Sequence, residues 1–281
     1  MKKGVYTALI TPFLETGEIN FNCLDRLIEY QLEHNIKGLV ILGSTGEANL
    51  LTQKEKIEIV KFVMEKVNGK IPVIAGISDF NILESINMAE EFKKYNIDGV
   101  LLTNPPYIKG NPQGVLKYFE TIINYIKLPT IIYNVPDRTS YNIPLSVLKT
   151  LLQNKYVIGI KEASGNLKTL EELINFTDKD IFTGNDIFMV ESMILGAKGV
   201  ISVVSNLIPN EIADIVENIS MDKFEKYKKL INILSLEPNP IMIKSALNYI
   251  GFETKTLRLP LYFPELEHYF TLTKELDYLG I

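Results

Sequence analysis

Eight short apolar segments, each followed by a stretch with helical spacing, recur along this 281-residue chain. The predicted strands are Val5–Ile10, Gly38–Leu42, Pro72–Ala75, Gly99–Leu102, Thr130–Tyr133, Val157–Lys161, Ile181–Thr183 and Gly199–Val203. Such alternation indicates parallel strands joined by crossover helices. Eight units are the number that closes a (β/α)8 TIM barrel of ordinary length. A doubly wound open sheet is the alternative, but its usual glycine-rich dinucleotide turn is missing after the first strand.

The segments between the strands have apolar residues at helical spacing, for example Cys23–His34, Gln53–Val67 and Ile82–Tyr95. Thr52 precedes the second of these, and Glu55 follows three residues later, which is the pattern of a capping box. We therefore predict that this helix starts directly after Thr52.

After Ser205 the pattern becomes purely helical. Predicted helices cover Glu211–Ile219, Met221–Leu236 and Ile241–Ile250, and Pro264 is predicted to open a last one. We expect an α/β barrel over residues 1–219 and a C-terminal helical region over residues 220–281, packed on the barrel.

Composition limits the partners and the compartment. The net charge of −5 argues against nucleic acid or an anionic membrane as a partner. Cys23 is the only cysteine, so no internal disulfide can form. No apolar run reaches the length of a membrane helix, and the apolar stretch after Met1 fits a first strand better than a signal peptide. We expect a cytoplasmic protein.

The predicted sixth strand ends abruptly in a lysine, Lys161. A lysine at the end of a buried strand can extend its ammonium group to solvent or pair with an acid. The other interpretation is an amine in a partly dry site that attacks a carbonyl as the free base. The sequence around Lys161 leaves both open.

Other polar residues also follow predicted strands, where a barrel of this type carries its active site. Ser44 and Thr45 form either an ordinary turn or a small carboxylate site of hydroxyls and backbone N–H groups. Tyr133 is either a strand aromatic or a site residue. Arg138 is either a surface charge or a bidentate carboxylate clamp. Together they predict a pocket at this end of the barrel.

The chain has only two histidines, His34 and His268, one in an early helix and one in the tail. Their positions argue against a histidine-dependent triad or a histidine metal site. The sequence also contains no HExxH, CxxC or GxxxxGK[ST] motif. Lysine, tyrosine and hydroxyl groups remain, and this set suits Schiff-base catalysis.

These motifs resemble the pyruvate-dependent class I aldolase superfamily, which includes N-acetylneuraminate lyase, and within it the dihydrodipicolinate synthase family matches best. The resemblance runs from Ala8-Leu9-Ile10-Thr11-Pro12 to Leu257-Arg258-Leu259-Pro260. Gly43-Ser44-Thr45-Gly46-Glu47 and the lysine strand mark the whole superfamily. The more specific marks are Tyr133-Asn134-Val135-Pro136 with Arg138-Thr139, Gly159 to Asn166 around the lysine, and Glu237-Pro238-Asn239-Pro240-Ile241.

The resemblance implies a lyase that condenses pyruvate with L-aspartate 4-semialdehyde, as a 4-hydroxy-tetrahydrodipicolinate synthase, in lysine and diaminopimelate biosynthesis. It implies no cofactor, because pyruvate itself forms a covalent Schiff base with Lys161. It also implies a homodimer or a homotetramer that is a dimer of dimers.

The same resemblance implies roles for individual residues. Tyr133, Ser44 and Tyr107 would form a proton relay, with Tyr107 supplied by the neighbouring subunit. Thr45 would bind the carboxylate of pyruvate, and Arg138 that of the semialdehyde. Gly184 and the backbone of Ile201 would line the pocket.

The chain also departs from the family. Threonine is usual where Ser44 stands, and serine lacks the β-branch that stiffens χ1. Ser44 favours the main alternative, a pyruvate-dependent aldolase acting on a sugar acid. A catalytically silent barrel that binds a metabolite is the alternative from another class. The usual lysine-effector residues are mostly replaced, at Pro106, Ala48, Gln53, Lys56 and Phe80, although Glu84 is kept, so we expect weak or absent inhibition by lysine.

Overall fold

A computed structural model describes residues 1–281 and contains eight parallel strands that pair in chain order to form a closed barrel. The strands are β1 (Gly4–Ala8), β2 (Gly38–Ile41), β3 (Val73–Gly76), β4 (Gly99–Thr103), β5 (Thr130–Asn134), β6 (Val157–Glu162), β7 (Asp180–Thr183) and β8 (Gly199–Ser202). Pairing between β1 and β8, from Gly4↔Gly199 to Thr7↔Ser202, closes the sheet. The predicted (β/α)8 barrel is confirmed, and an open doubly wound sheet is excluded.

Helices fill the connections and cover the outside of the barrel. They are α1 (Phe21–Leu32), α2 (Gln53–Val67), α3 (Ile82–Lys93), α4 (Pro112–Ile126), α5 (Pro136–Thr139), α6 (Leu145–Leu152), α7 (Leu167–Ile174), α8 (Met189–Ile194), α9 (Pro209–Asn218), α10 (Met221–Ile233), α11 (Ile241–Tyr249) and α12 (Leu266–Leu279). The capping box of α2 is present: the Thr52 side chain accepts from the Glu55 N–H, and the Glu55 carboxylate accepts from the Thr52 N–H.

Strand alternation divides the apolar residues into two cores. Eight side chains fill the barrel interior: Tyr6, Ala8, Val40, Ile74, Leu101, Ile131, Phe182 and Ile201. A cluster of 68 buried residues occupies the layer between the strands and the helices. The barrel interior is thus a packed core, and space for a ligand is left only at the strand ends.

Only α2 has both predicted boundaries; the other elements differ from prediction at one or both ends, mostly by one or two residues. β1 ends at Ala8 instead of Ile10, because the Ile10 N–H bonds to the Asn206 side chain instead of a neighbouring strand. α10 ends at Ile233 instead of Leu236. α12 begins at Leu266, two residues after Pro264, because Glu265 has extended backbone angles.

The C-terminal helices join the outer core of the barrel. Phe224, Leu230, Met242 and Leu276 all belong to the 68-residue cluster. Because this core is continuous, the predicted division between residues 219 and 220 stays a prediction. None of the helices is both long enough and apolar enough to span a membrane.

Candidate active site

A cavity of about 640 Å³ opens at the C-terminal ends of the strands. The β2, β5, β6 and β7 ends and the segment from Ile231 to Asn239 contribute to its wall. Six of the eight predicted site residues line this cavity: Ser44, Thr45, Tyr133, Arg138, Lys161 and Gly184. Tyr107 and Ile201 do not.

The pairing of β5 with β6 places Tyr133 beside Lys161. The two residues are direct partners in the parallel register. Their side chains therefore project to the same side of the sheet. The Lys161 Nζ lies 4.3 Å from the centre of the Tyr133 ring, and only 5% of the lysine is exposed.

Glu162 follows Lys161 directly but points to the opposite side of the strand. Its carboxylate accepts from the Asn134 amide at 2.9 Å and from the Ser164 N–H at 2.7 Å. Burial raises the pKa of Glu162, and these hydrogen bonds oppose the rise. The strand geometry thus separates the lysine amine from its sequence neighbour, and no carboxylate oxygen lies within ion-pair distance of Lys161.

Gly184 gives the Lys161 side chain its space. A β-carbon on Gly184 would lie 2.8 Å from Lys161 Cε and 2.6 Å from the Ala163 β-carbon. Any larger residue would displace the lysine stem, which explains in steric terms why glycine stands here.

Thr45, Arg138 and Asn239 form a connected polar wall of the cavity. The Asn239 side-chain amide donates to Thr45 Oγ1 at 2.9 Å, and Arg138 Nη2 donates to the Asn239 carbonyl at 2.8 Å. Asn239 Oδ1 is buried and has no partner. A hydroxyl, an amide and a guanidinium group in one wall can receive carboxylate oxygens.

Like Asn239, Asp186 lines the cavity but is not one of the eight predicted site residues. Its Oδ2 accepts from the backbone N–H groups of Val203 and Val204 at 2.9 and 3.2 Å, whereas its buried Oδ1 has no partner. Burial raises the pKa of Asp186, and hydrogen bonds and the charge of Lys161 oppose the rise. Asn239 lies in the segment Glu237-Pro238-Asn239-Pro240-Ile241, and Asp186 lies two residues after Gly184, but the contacts of both depend on the tertiary fold.

A smaller cavity of about 60 Å³ lies on the other side of Ser44 and Tyr133. Thr103, the last residue of β4, and Pro106, from the β4–α4 loop, line it, and Thr103 Oγ1 is buried without a hydrogen-bond partner. Tyr107 follows in the same loop with a left-handed backbone (φ 69°) and is 86% exposed. In a single chain, Tyr107 therefore faces away from the cavity that Ser44 lines.

The remaining predictions concern Ile201 and the histidines. Ile201 is fully buried in the barrel interior and does not form part of the cavity wall. His34 and His268 also lie outside the wall; His268 contacts the wall residue Glu237 at 2.6 Å, and this carboxylate raises the pKa of His268. No group of three or more His, Cys, Asp or Glu side chains is arranged to hold a metal ion.

The model of the dihydrodipicolinate synthetase family matches residues 1–278. The chain belongs to this family. The protein named 4-hydroxy-tetrahydrodipicolinate synthase from Clostridium tetani is 38% identical over 98% of this chain and 97% of its own length. The protein of the same name from Brachyspira hyodysenteriae is 37% identical over 92% of this chain and 91% of its own length.

Solved structures agree with the family. The dihydrodipicolinate synthase from Acinetobacter baumannii, chloride-inhibited and complexed with pyruvate, superposes with a TM-score of 0.96, 30% identity and full coverage of both chains. The predicted family and barrel are therefore confirmed, and so is the predicted class of enzyme, a lyase of the 4-hydroxy-tetrahydrodipicolinate synthase type.

Proposed function

We propose that this chain condenses pyruvate with L-aspartate 4-semialdehyde through a Schiff base on Lys161. The observation that carries the proposal is a buried lysine amine that faces a cavity and has no carboxylate partner. Relatives of nearly the same length have the name of this synthase, and one solved relative has pyruvate bound.

The chemistry explains why a lysine is needed. The methyl group of pyruvate is a weak carbon acid, and an iminium at C2 acts as the electron sink for its deprotonation. The Lys161 nitrogen adds to the C2 carbonyl, and loss of water gives the iminium. C3 then loses a proton, and the enamine attacks the aldehyde carbon of the semialdehyde. Finally the amino group of the semialdehyde attacks C2, displaces Lys161 and closes the ring.

Tyr133 is proposed to move protons while the amine adds to the carbonyl and water leaves. Its ring borders the Lys161 nitrogen, which supports this role. Ser44 shares both cavities with Tyr133. It would connect Tyr133 to Tyr107 from a second copy of the chain. The exposed Tyr107 and the unpartnered Thr103 hydroxyl are consistent with a site that is completed only in a dimer.

The two substrate carboxylates are assigned to the polar wall. We assign the pyruvate carboxylate to Thr45 and the semialdehyde carboxylate to Arg138. Asn239 contacts both of these residues. It would hold the two carboxylate sites at a fixed separation, with Gly184 and the backbone near Ile201 closing the pocket.

Borohydride trapping tests the Schiff base. Incubation of the chain with pyruvate and borohydride should add one reduced pyruvate to Lys161, located by mass spectrometry of the digested protein. Lys161→Met should show no adduct, and Lys168→Met, which removes an exposed lysine of α7, should trap as the wild type does. Wild-type protein without an adduct would favour the silent metabolite-binding barrel instead.

Steady-state kinetics separate the two enzyme alternatives. Ser44 favours an aldolase acting on a sugar acid such as N-acetylneuraminate or 2-keto-3-deoxygluconate. We expect turnover of aspartate semialdehyde with pyruvate and no cleavage of these sugar acids. The reverse result would overturn the proposed substrate while leaving the Schiff base intact.

Mixing two inactive variants tests the role of Tyr107. In a mixed dimer of Lys161→Met and Tyr107→Phe subunits, one of the two sites would combine an intact Lys161 with an intact Tyr107. Subunit exchange in an equal mixture should therefore restore about a quarter of wild-type activity. If Tyr107 acts within its own chain, the mixture should stay as inactive as its components.

Two further properties belong to the proposal. The enzyme is expected to work in the cytoplasm as a homodimer or homotetramer. Lysine is expected to inhibit weakly or not at all, because Pro106 replaces a tyrosine and the Gln53 amide already donates to Glu84. Half-inhibition at sub-millimolar lysine would contradict this expectation.

A further inference from the structure

A fully buried ion pair lies next to the Ser44–Thr45 loop. Lys244 of α11 and Glu47, which ends this loop, have no exposed side-chain surface, and Lys244 Nζ lies 2.6 Å from Glu47 Oε1. The same nitrogen donates to the Thr11 carbonyl at 3.0 Å. Burial lowers the pKa of Lys244 to about 8, and the Glu47 carboxylate opposes the drop.

Arg258 completes the surroundings of the pair. Its backbone N–H donates to Glu47 Oε2 at 3.0 Å, so both carboxylate oxygens are occupied. Its guanidinium carbon and the Lys244 nitrogen each lie 4.5 Å from the centre of the Phe13 ring. The guanidinium group is held in place by the Glu55 carboxylate and the Gly17 carbonyl. The cluster therefore links the loops after β1 and β2 to the C-terminal region.

Two short segments of the chain connect the buried cluster to the polar wall of the cavity. Glu47 has a left-handed backbone (φ 54°), which is costly for a residue with a β-carbon, and lies two residues after Thr45. Asn239, which donates to Thr45, lies five residues before Lys244 in the segment that enters α11. The Thr11 hydroxyl also donates to the Gly46 carbonyl at 2.7 Å. The ion pair thus fixes both partners of the Thr45–Asn239 hydrogen bond.

Stability alone gives a weak reason for such a pair, because two apolar residues of similar volume are often at least as stable as a buried ion pair. We propose that Lys244 and Glu47 are positioning residues, which orient the Thr45 hydroxyl and the Asn239 amide toward the carboxylate of pyruvate. The proposal rests on the proposed function, because it assigns that carboxylate to Thr45. Neither residue touches the reacting atoms.

The test uses two variants, Lys244→Met and the double variant Glu47→Gln/Lys244→Met. The double variant leaves no unpaired buried charge and should fold even if the single variant does not. In both, the pyruvate concentration that half-saturates borohydride trapping on Lys161 and the KM for pyruvate should rise about tenfold, the equivalent of one charged hydrogen bond. The kcat at saturating pyruvate should stay within about threefold, because weakened ground-state binding raises KM alone.

Glu275→Gln is the matched control. Glu275 is a buried carboxylate of α12 that pairs with Lys229, away from the cavity. This variant should lower the melting temperature without changing the KM for pyruvate. If the double variant folds and half-saturates at the wild-type pyruvate concentration, the positioning role is wrong. If the wild type forms no adduct at all, the proposed function itself fails, so the two failures are distinguishable.

Discussion

The barrel strand β6 and the C-terminal helix α11 each contain an almost fully buried lysine, and the two are held in opposite ways. Lys161 is 5% exposed and Lys244 is not exposed at all. Both nitrogens lie near an aromatic ring, at 4.3 Å from Tyr133 and 4.5 Å from Phe13. Lys244 donates to the Glu47 carboxylate and to a carbonyl, whereas Lys161 has no protein hydrogen-bond partner and faces a cavity.

The contrast shows that burial alone does not distinguish a reactive lysine from a structural one. A buried ammonium group needs compensation, and Glu47 supplies it for Lys244. The Lys161 nitrogen has only the face of the Tyr133 ring and the cavity beside it. An amine with an unpartnered nitrogen can reach a substrate carbonyl, and an amine locked in an ion pair cannot.

Replacing Lys161 with methionine has the largest expected effect. Loss of the nucleophile should lower kcat by roughly 10³-fold or more. The melting temperature should stay equal or rise, because the change removes a buried polar group that has no hydrogen-bond partner. Circular dichroism melting curves, measured alongside kcat, check both parts. A large drop in melting temperature would show that Lys161 is a structural lysine as well.

The same substitution at Lys244 should act mainly on stability. Lys244→Met leaves the Glu47 carboxylate buried and unpaired, which should cost about 3 to 5 kcal/mol in the free energy of unfolding. Denaturant titration measures this cost. The double variant Glu47→Gln/Lys244→Met should recover most of it. If both single lysine variants lose similar stability, the contrast between the two lysines is incorrect.

The sequence predicted one of these lysines and missed the other, for a physical reason. Lys161 ends an apolar strand, and the pairing that places Tyr133 beside it follows from strand order in a barrel. Lys244 is the single lysine of α11, a helix whose residues 241–247 are all buried, and its partner Glu47 lies 197 residues away. Local spacing carries no information about such a contact.

The candidate site also contains residues that the sequence predicts and residues that it does not. Ser44, Thr45, Tyr133, Arg138 and Lys161 lie at or just after the C-terminal ends of strands, so the barrel topology alone predicts that they meet. Asn239 reaches Thr45 from 194 residues away, and its place in the wall depends on how the C-terminal helices pack. Tyr107 is proposed to act in the site of a second copy of the chain, so the strand order within one chain does not predict its place.

Replacing Gly184 with alanine should displace Lys161, the reactive lysine, without removing its amine. In Gly184→Ala, the new carbon would lie 2.8 Å from Lys161 Cε and force the lysine stem to move. A misplacement of about 1 Å can lower kcat by about 10²-fold. Gly43→Ala is the control, because a β-carbon there meets nothing within 4 Å. Single-turnover trapping with pyruvate should slow in the first variant only; equal rates in the two would show that the lysine stem has room to adjust.

The smallest effect concerns acid stability near Lys244. The Arg258 guanidinium lowers the pKa of Glu55 from 4.5 to about 2. Its stabilising contribution is therefore present above pH 4.5 and is lost as the pH falls toward 2; with solvent screening of this partly exposed pair, the predicted loss between pH 6 and pH 3 is about 1 kcal/mol. Glu55→Gln should be less stable at pH 7 and should lose less on acidification. Glu58→Gln, on the same helix and 3.8 Å from Lys54, should keep the wild-type acid profile. Urea titrations at both pH values measure the difference, and identical acid losses in the wild type and Glu55→Gln would mean that Arg258 does not hold this carboxylate in solution.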